Sequence, residues 1–162
     1  SDYNRRTKDG DVLESHDMAP GVKKALLELA GRGSDLHRQS RIYLEFVPRG
    51  LLFLPSRLVF HPLLQPALKH LRIEALDVHD VVLSKLARYN ADDAGDIRAM
   101  ADKNLIDHPR LVSRFQAAVA RYSLDARAPD GSGYLKNLHT VERDILGVPE
   151  SEMDFPPEYG LD

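Results

Sequence analysis

The chain has 162 residues, 43% of them hydrophobic, and a formal net charge of −3, enough for the core of one ordinary domain or of a small domain with a helical extension. It contains no cysteine, which excludes a disulfide framework and a cysteine-ligated zinc site, and it lacks the overall basic excess that announces nucleic-acid binding. No apolar run reaches the roughly 18 residues of a membrane span and the polar start does not read as a signal peptide, so a cytoplasmic location with no membrane partner is expected.

In chain order, a polar and basic opening leads to a strand expected over about Asp9 to Glu14. Asp17 and Pro20 read as a helix start, followed by Val22, Ala25, Leu26, Leu29 and Ala30 at helical spacing and by Gly31 at the end. Residues 31–34 read as a loop. The clearest strand is Arg41 to Val47, with Ile42, Leu44 and Phe46 on one face and Tyr43, Glu45 and Val47 on the other. Pro48-Arg49-Gly50 reads as a turn, Leu51 to Leu54 as the returning strand of a hairpin, and Arg57 to Phe60 as another short strand. A short helix is expected between Pro62 and Leu71, and a strand over Arg72 to Leu76.

From Asp77, a plausible N-cap, the period turns helical. Val78, Val81, Val82 and Leu86 form one stripe. Asp92 or Asp93 caps a second helix ending near Asn104. A third carries Leu111, Val112, Phe115, Ala118, Val119 and Tyr122. After a loop over Ala128 to Gly133, a fourth carries Leu135, Leu138, Val141 and Ile145 and stops at Gly147. The expected fold class is α/β (α+β): an α/β part over 1–76, a helical part over 77–148 and an irregular, acidic, proline-containing tail over 149–162.

Two groups of residues stand out chemically. In a strand, Asp9 and Asp11 point to the same face and can aim their oxygens at one spot, as a hard cation such as Mg²⁺ requires. The same Asp-Gly-Asp also reads as a solvated turn. An EF-hand loop is excluded, because Leu13 and Glu14 occupy its fifth and sixth positions counted from Asp9. Glu45, an acid inside a β-rich run, is either an edge-strand charge or a third carboxylate brought beside the pair by strand pairing. In the helical half, Lys85 can reach Asp93 and Asp96, which share a helix face. That trio is either a structural salt bridge or a triphosphate-handling group. The seven histidines, at 16, 37, 61, 70, 79, 108 and 139, show no paired metal-ligand spacing and most are expected in surface or capping roles; no nucleophile elbow, Walker A or Rossmann fingerprint occurs.

The segments Arg-Thr-Lys-Asp-Gly-Asp-Val from Arg6, Glu45 within its strand, Phe53-Leu54-Pro55-Ser56-Arg57-Leu58, the run from Asp80 to Arg88 containing Lys85-Leu86-Ala87-Arg88, and Asp93-Ala94-Gly95-Asp96-Ile97 together resemble the nucleotidyltransferase superfamily. They are most similar to an uncharacterised bacterial branch related to abortive-infection type toxins. The resemblance implies a small mixed sheet with flanking helices and a helical C-terminal part. It implies Mg²⁺-dependent transfer of a nucleotide from a nucleoside triphosphate to an RNA or protein acceptor, in a toxin–antitoxin or phage-defence setting with an antitoxin as partner. Carried over by position, Asp9 and Asp11 match the paired metal ligands, Glu45 the third carboxylate, and Lys85, Asp93 and Asp96 the nucleotide-handling positions. The family's Gly-Gly or Gly-Ser turn upstream of the acidic pair has no counterpart before Arg5, so the expectation is either that the sequence is part of a longer protein or that the site is degenerate. The alternative function expected is a catalytically inactive binding or assembly module with the same fold.

Overall fold

The computed structural model describes residues 9–13, 18–48, 52–63, 73–123 and 131–153. Among them, six α-helices and two two-stranded sheets make a mixed α+β fold, one sheet parallel and the other antiparallel. The chain divides into two compact units, Ser1–Leu52 and Phe53–Asp162. The boundary lies upstream of Asp77, where the sequence turns helical, because the second sheet belongs to the same unit as the later helices.

In the first unit, β1 (Asp9–Leu13) pairs in parallel with β2 (Tyr43–Val47) through α1 (Pro20–Ala30) and α2 (Asp35–Ser40). Parallel strands need such a crossover, because no tight turn can return the chain to the same end of the sheet. Pro20 begins α1, where its missing N–H costs nothing; Ala19 is the N-cap, and Asp17 lies outside the described residues. Gly31 ends α1 at a negative φ of −73°. Glycine suits this position for a steric reason: a Cβ would collide with the Leu27 carbonyl oxygen. The backbone of Gly31 also forms a parallel bridge with Leu44.

Helix α2 fills the stretch between the loop over 31–34 and the strand expected from Arg41, where the sequence suggested no element. The Ser34 hydroxyl accepts from the His37 amide at 3.1 Å and caps this short helix. Arg41, expected as the first strand residue, is the helix C-cap in the left-handed region at φ 63°, so the strand starts two residues later.

In the second unit, β3 (Phe60–Pro62) pairs antiparallel with β4 (Glu74–Leu76), with Phe60 opposite Leu76. The helix expected between Pro62 and Leu71 falls largely outside the described residues, as do Arg49 and Gly50 of the expected turn. Residues 52–54 do not form the returning strand of a hairpin. They are irregular, and Phe53 and Leu54 are fully buried. Phe53 stacks on Tyr134 at 4.4 Å between centroids and meets Phe115 and Tyr122 edge-on at 5.1 and 5.3 Å. The Leu54 carbonyl accepts from Arg121 Nη1 at 2.9 Å, so a side chain serves it in place of a neighbouring strand.

The helices α3 (Val78–Leu86), α4 (Ala91–Asp102), α5 (His108–Tyr122) and α6 (Ser132–Val141) supply the core residues Val82, Leu83, Leu86, Ile97, Leu111, Phe115, Ala118, Leu138 and Val141. Asp77 caps α3 as expected. The cap of α4 is Asn90, not Asp92 or Asp93. Asp93 sits at N3, where its carboxylate accepts from the Asn90 amide while the Asn90 side chain accepts from its own, a reciprocal capping box. α6 runs into one π-helical turn, Glu142–Leu146, and Gly147 closes it at φ +65°. Among the described residues, no helix is long and apolar enough to cross a membrane.

Candidate metal centre

Strand pairing decides the geometry of the three acids. The register sets Asp9 opposite Tyr43 and Asp11 opposite Glu45. Because side chains alternate across a strand, Asp9, Asp11, Tyr43 and Glu45 share one sheet face. One oxygen from each of the three exposed carboxylates lies within 4.8 Å of the others. Gly10, between the two aspartates, is directed to the opposite face, where a Cβ would stand 3.1 Å from Leu44 Cδ2. Its small size thus serves packing against β2. Arg6 and Lys8 of the basic opening lie outside the described residues.

Arg32 adds a cation to this face. Its Nη2 donates to the Tyr43 hydroxyl at 2.6 Å, and its guanidinium carbon stands 4.8 Å from the Tyr43 ring centre. Tyr43 is buried and packs edge-on against His37 at 5.0 Å. The hydrogen bond to Tyr43 raises the Arg32 pKa above its ordinary value, and the negative charges of Glu45 and Asp9 raise it further.

The second sequence-derived group belongs to the other unit. Lys85 Nζ donates to Asp96 Oδ2 at 2.7 Å and to Asp93 Oδ1 at 3.4 Å. Arg88 grips Asp93 with Nε and Nη2 at 2.9 and 2.8 Å. The Arg88 hydrogen bonds lead the causes that hold the Asp93 pKa below the carboxylate range. Both Asp93 oxygens are therefore engaged by groups of α3 and of its own capping box. The trio comes together, in the geometry of a clamp between α3 and α4.

Two buried acids, Asp77 and Glu142, carry hydrogen-bond networks that the sequence does not announce. Asp77 accepts from His61 Nε2 at 2.8 Å, His79 Nδ1 at 2.7 Å, the His79 amide at 3.0 Å and Arg110 Nη2 at 2.8 Å. His79 Nε2 accepts from the Asp107 amide at 3.0 Å, which assigns the ring proton to Nδ1. His79 is thus a buried member of the core network rather than a surface residue. Its offset of two from Asp77 was the available signal, since a side chain there can meet the cap residue.

Burial alone would push the Asp77 carboxyl up; the hydrogen bonds from His61 and His79 outweigh it and bring the pKa down to about 2. Because this folded value lies below the ordinary 3.8, the network stabilises the fold above about pH 4 and loses that contribution as pH falls toward 2. Urea denaturation at pH 5 and pH 2.5 is expected to show about 2 kcal/mol less acid-induced loss in Asp77→Asn than in the parent. An identical loss in both proteins would disprove the assignment.

The other acid is Glu142, which accepts from His108 Nε2 at 2.8 Å, from the Ser151 amide at 3.0 Å and from the Ser151 hydroxyl. Serine, histidine and glutamate here do not form a nucleophilic relay. That arrangement uses one ring nitrogen for the acid and the other for the serine, whereas both partners of His108 meet Nε2. Burial raises the Glu142 pKa, and the bonds from Ser151 and His108 more than reverse this, leaving it below the ordinary value. The group fastens residue 151 to the π-helical turn.

No protein-family model, curated protein or solved structure matches the chain.

Proposed function

We propose that Asp9, Asp11 and Glu45 hold Mg²⁺ and that the protein transfers a nucleotide from a nucleoside triphosphate to an RNA or protein acceptor. The observation that carries this reading is the approach of three exposed carboxylates, from two strands distant in sequence, to within 4.8 Å. The donor set fits by its chemistry: three hard oxygen ligands suit Mg²⁺. When bound, the metal would neutralise phosphate charge and stabilise attacking and leaving oxygens of an in-line displacement. Asp9 and Asp11, two residues apart on one strand, would keep a fixed ligand separation. Glu45, on the neighbouring strand, would take the proton of the acceptor hydroxyl at a carboxylate oxygen. A nucleoside triphosphate donor agrees with a cytoplasmic protein, and the resemblance of the motifs extends the proposal to a toxin restrained by an antitoxin.

Asp11→Asn is expected to weaken Mn²⁺ binding at least tenfold and to abolish incorporation of labelled nucleotide, followed with all four nucleoside triphosphates against RNA and protein. Incorporation at the parent rate would sink the mechanism. A second reading, an inactive binding or assembly module, draws support from Asp93, whose oxygens are taken up by Arg88, Lys85 and Asn90. Incorporation by the parent protein would decide against it.

A further inference from the structure

We infer that Arg32 is a phosphate-binding residue of the carboxylate site, held in place by Tyr43. This rests on the metal reading above and extends it to the chain's own contact with the anionic part of the substrate. Arg32 follows Gly31, whose backbone is bridged to Leu44, so its main chain is anchored to β2. Its side chain is fixed by a buried tyrosine that shares a sheet face with Glu45 and stands opposite Asp9. By contrast, Lys23 is directed to the other face, where its Nζ lies 5.3 Å from the Phe46 ring centre.

Three properties fit Arg32 to phosphate. It is exposed, although Tyr43 restrains it. Among the described residues its one hydrogen bond, to Tyr43, uses one of five guanidinium N–H donors. A planar guanidinium meets phosphate oxygens with two parallel hydrogen bonds, and one already anchored loses less freedom in doing so. Three carboxylates on the same face would otherwise repel a polyphosphate, and the anchored cation offsets part of that field. A purely architectural Arg32 would instead serve only to tie the exit of α1 to β2.

The experiment measures Mn²⁺ binding first and then titrates the Mn²⁺-loaded protein with inorganic triphosphate, which isolates the phosphate contact from base recognition. Arg32→Ala is expected to leave Mn²⁺ affinity unchanged or raise it by about twofold to threefold, because a cation beside the carboxylates is removed. Triphosphate affinity is expected to fall at least tenfold, with Arg32→Lys in between because it keeps the charge and loses the fork. An architectural role would lower both affinities together and so overturn the inference. Equal triphosphate affinity in Arg32→Ala and parent, or no triphosphate binding by a parent that binds Mn²⁺, would overturn it while leaving the metal centre intact. Absence of Mn²⁺ binding by the parent would remove the metal reading and this inference with it. If Arg32→Ala loses its circular dichroism signal, Tyr43→Phe and Arg32→Lys serve instead: weaker triphosphate binding in both supports the assignment, and unchanged binding in both refutes it.

Discussion

Replacing Arg114 by alanine is expected to destabilise the protein by about 3–5 kcal/mol, the usual consequence of leaving a buried charge without its partner. Asp80 has no exposed surface, and Arg114 reaches it from α5 with Nε at 2.7 Å and Nη2 at 2.6 Å. Nη2 also donates to the Arg57 carbonyl at 2.8 Å, so one guanidinium joins α3, α5 and the segment before β3. The Arg114 side chain is itself only 16% exposed, so water can do little to replace it. A double substitution, Asp80→Leu with Arg114→Met, is expected to recover most of the loss, because an apolar pair removes the unpaired charge along with its partner. Urea denaturation read by circular dichroism tests both. A loss below about 1 kcal/mol in Arg114→Ala would show that Asp80 is adequately solvated without it.

The second large effect is expected at Phe53. Truncation to alanine removes a ring that is 1% exposed and lies against Phe115, Tyr122 and Tyr134. Cavities of this kind cost about 3–5 kcal/mol, and the stacked and edge-on geometry adds to the plain loss of area. Phe53→Leu is expected to cost markedly less, since it retains most of the apolar volume. Tyr134 provides a local reporter: burial first, and then its hydrogen bond with Tyr122, holds its phenol well above the ordinary pKa. Phe53→Ala should bring its ultraviolet titration down toward the ordinary range. An unchanged titration with unchanged stability would mean that the cluster closes over the gap at no cost.

Much of this architecture is legible in the sequence wherever one local rule suffices. The helices α3 to α6 show their three-and-four spacing, and Asp77 and Pro20 mark starts through capping and ring geometry. The carboxylate cluster is legible for a related reason: alternation puts Asp9 and Asp11 on one side, and Glu45 interrupts an otherwise apolar strand. Its register opposite Asp11 is not legible, because parallel pairing depends on the whole crossover. α2 is too short to show a helical period, and only Ser34 signals it. Phe53 and Leu54 look like a strand because burial asks for the same residues, whether a ladder or a side chain serves the backbone. Asp80 and Glu142 look like surface acids, since each is made tolerable in the core by a partner 34 positions away.

The parallel pairing of β1 with β2 also bears on the order of events in folding. Antiparallel neighbours can meet through a local turn, whereas these two strands meet only after the intervening chain has been wound back, at a loop-closure cost. Glu45 is therefore distant from the Asp9 and Asp11 pair in the unfolded chain and is brought beside it by folding itself, along with their mutual repulsion. Under the proposed metal reading, a cation held by all three would recognise the folded form alone. By mass action, its concentration would then shift how much of the first unit is folded, so ion occupancy and conformational stability would be two readings of one equilibrium.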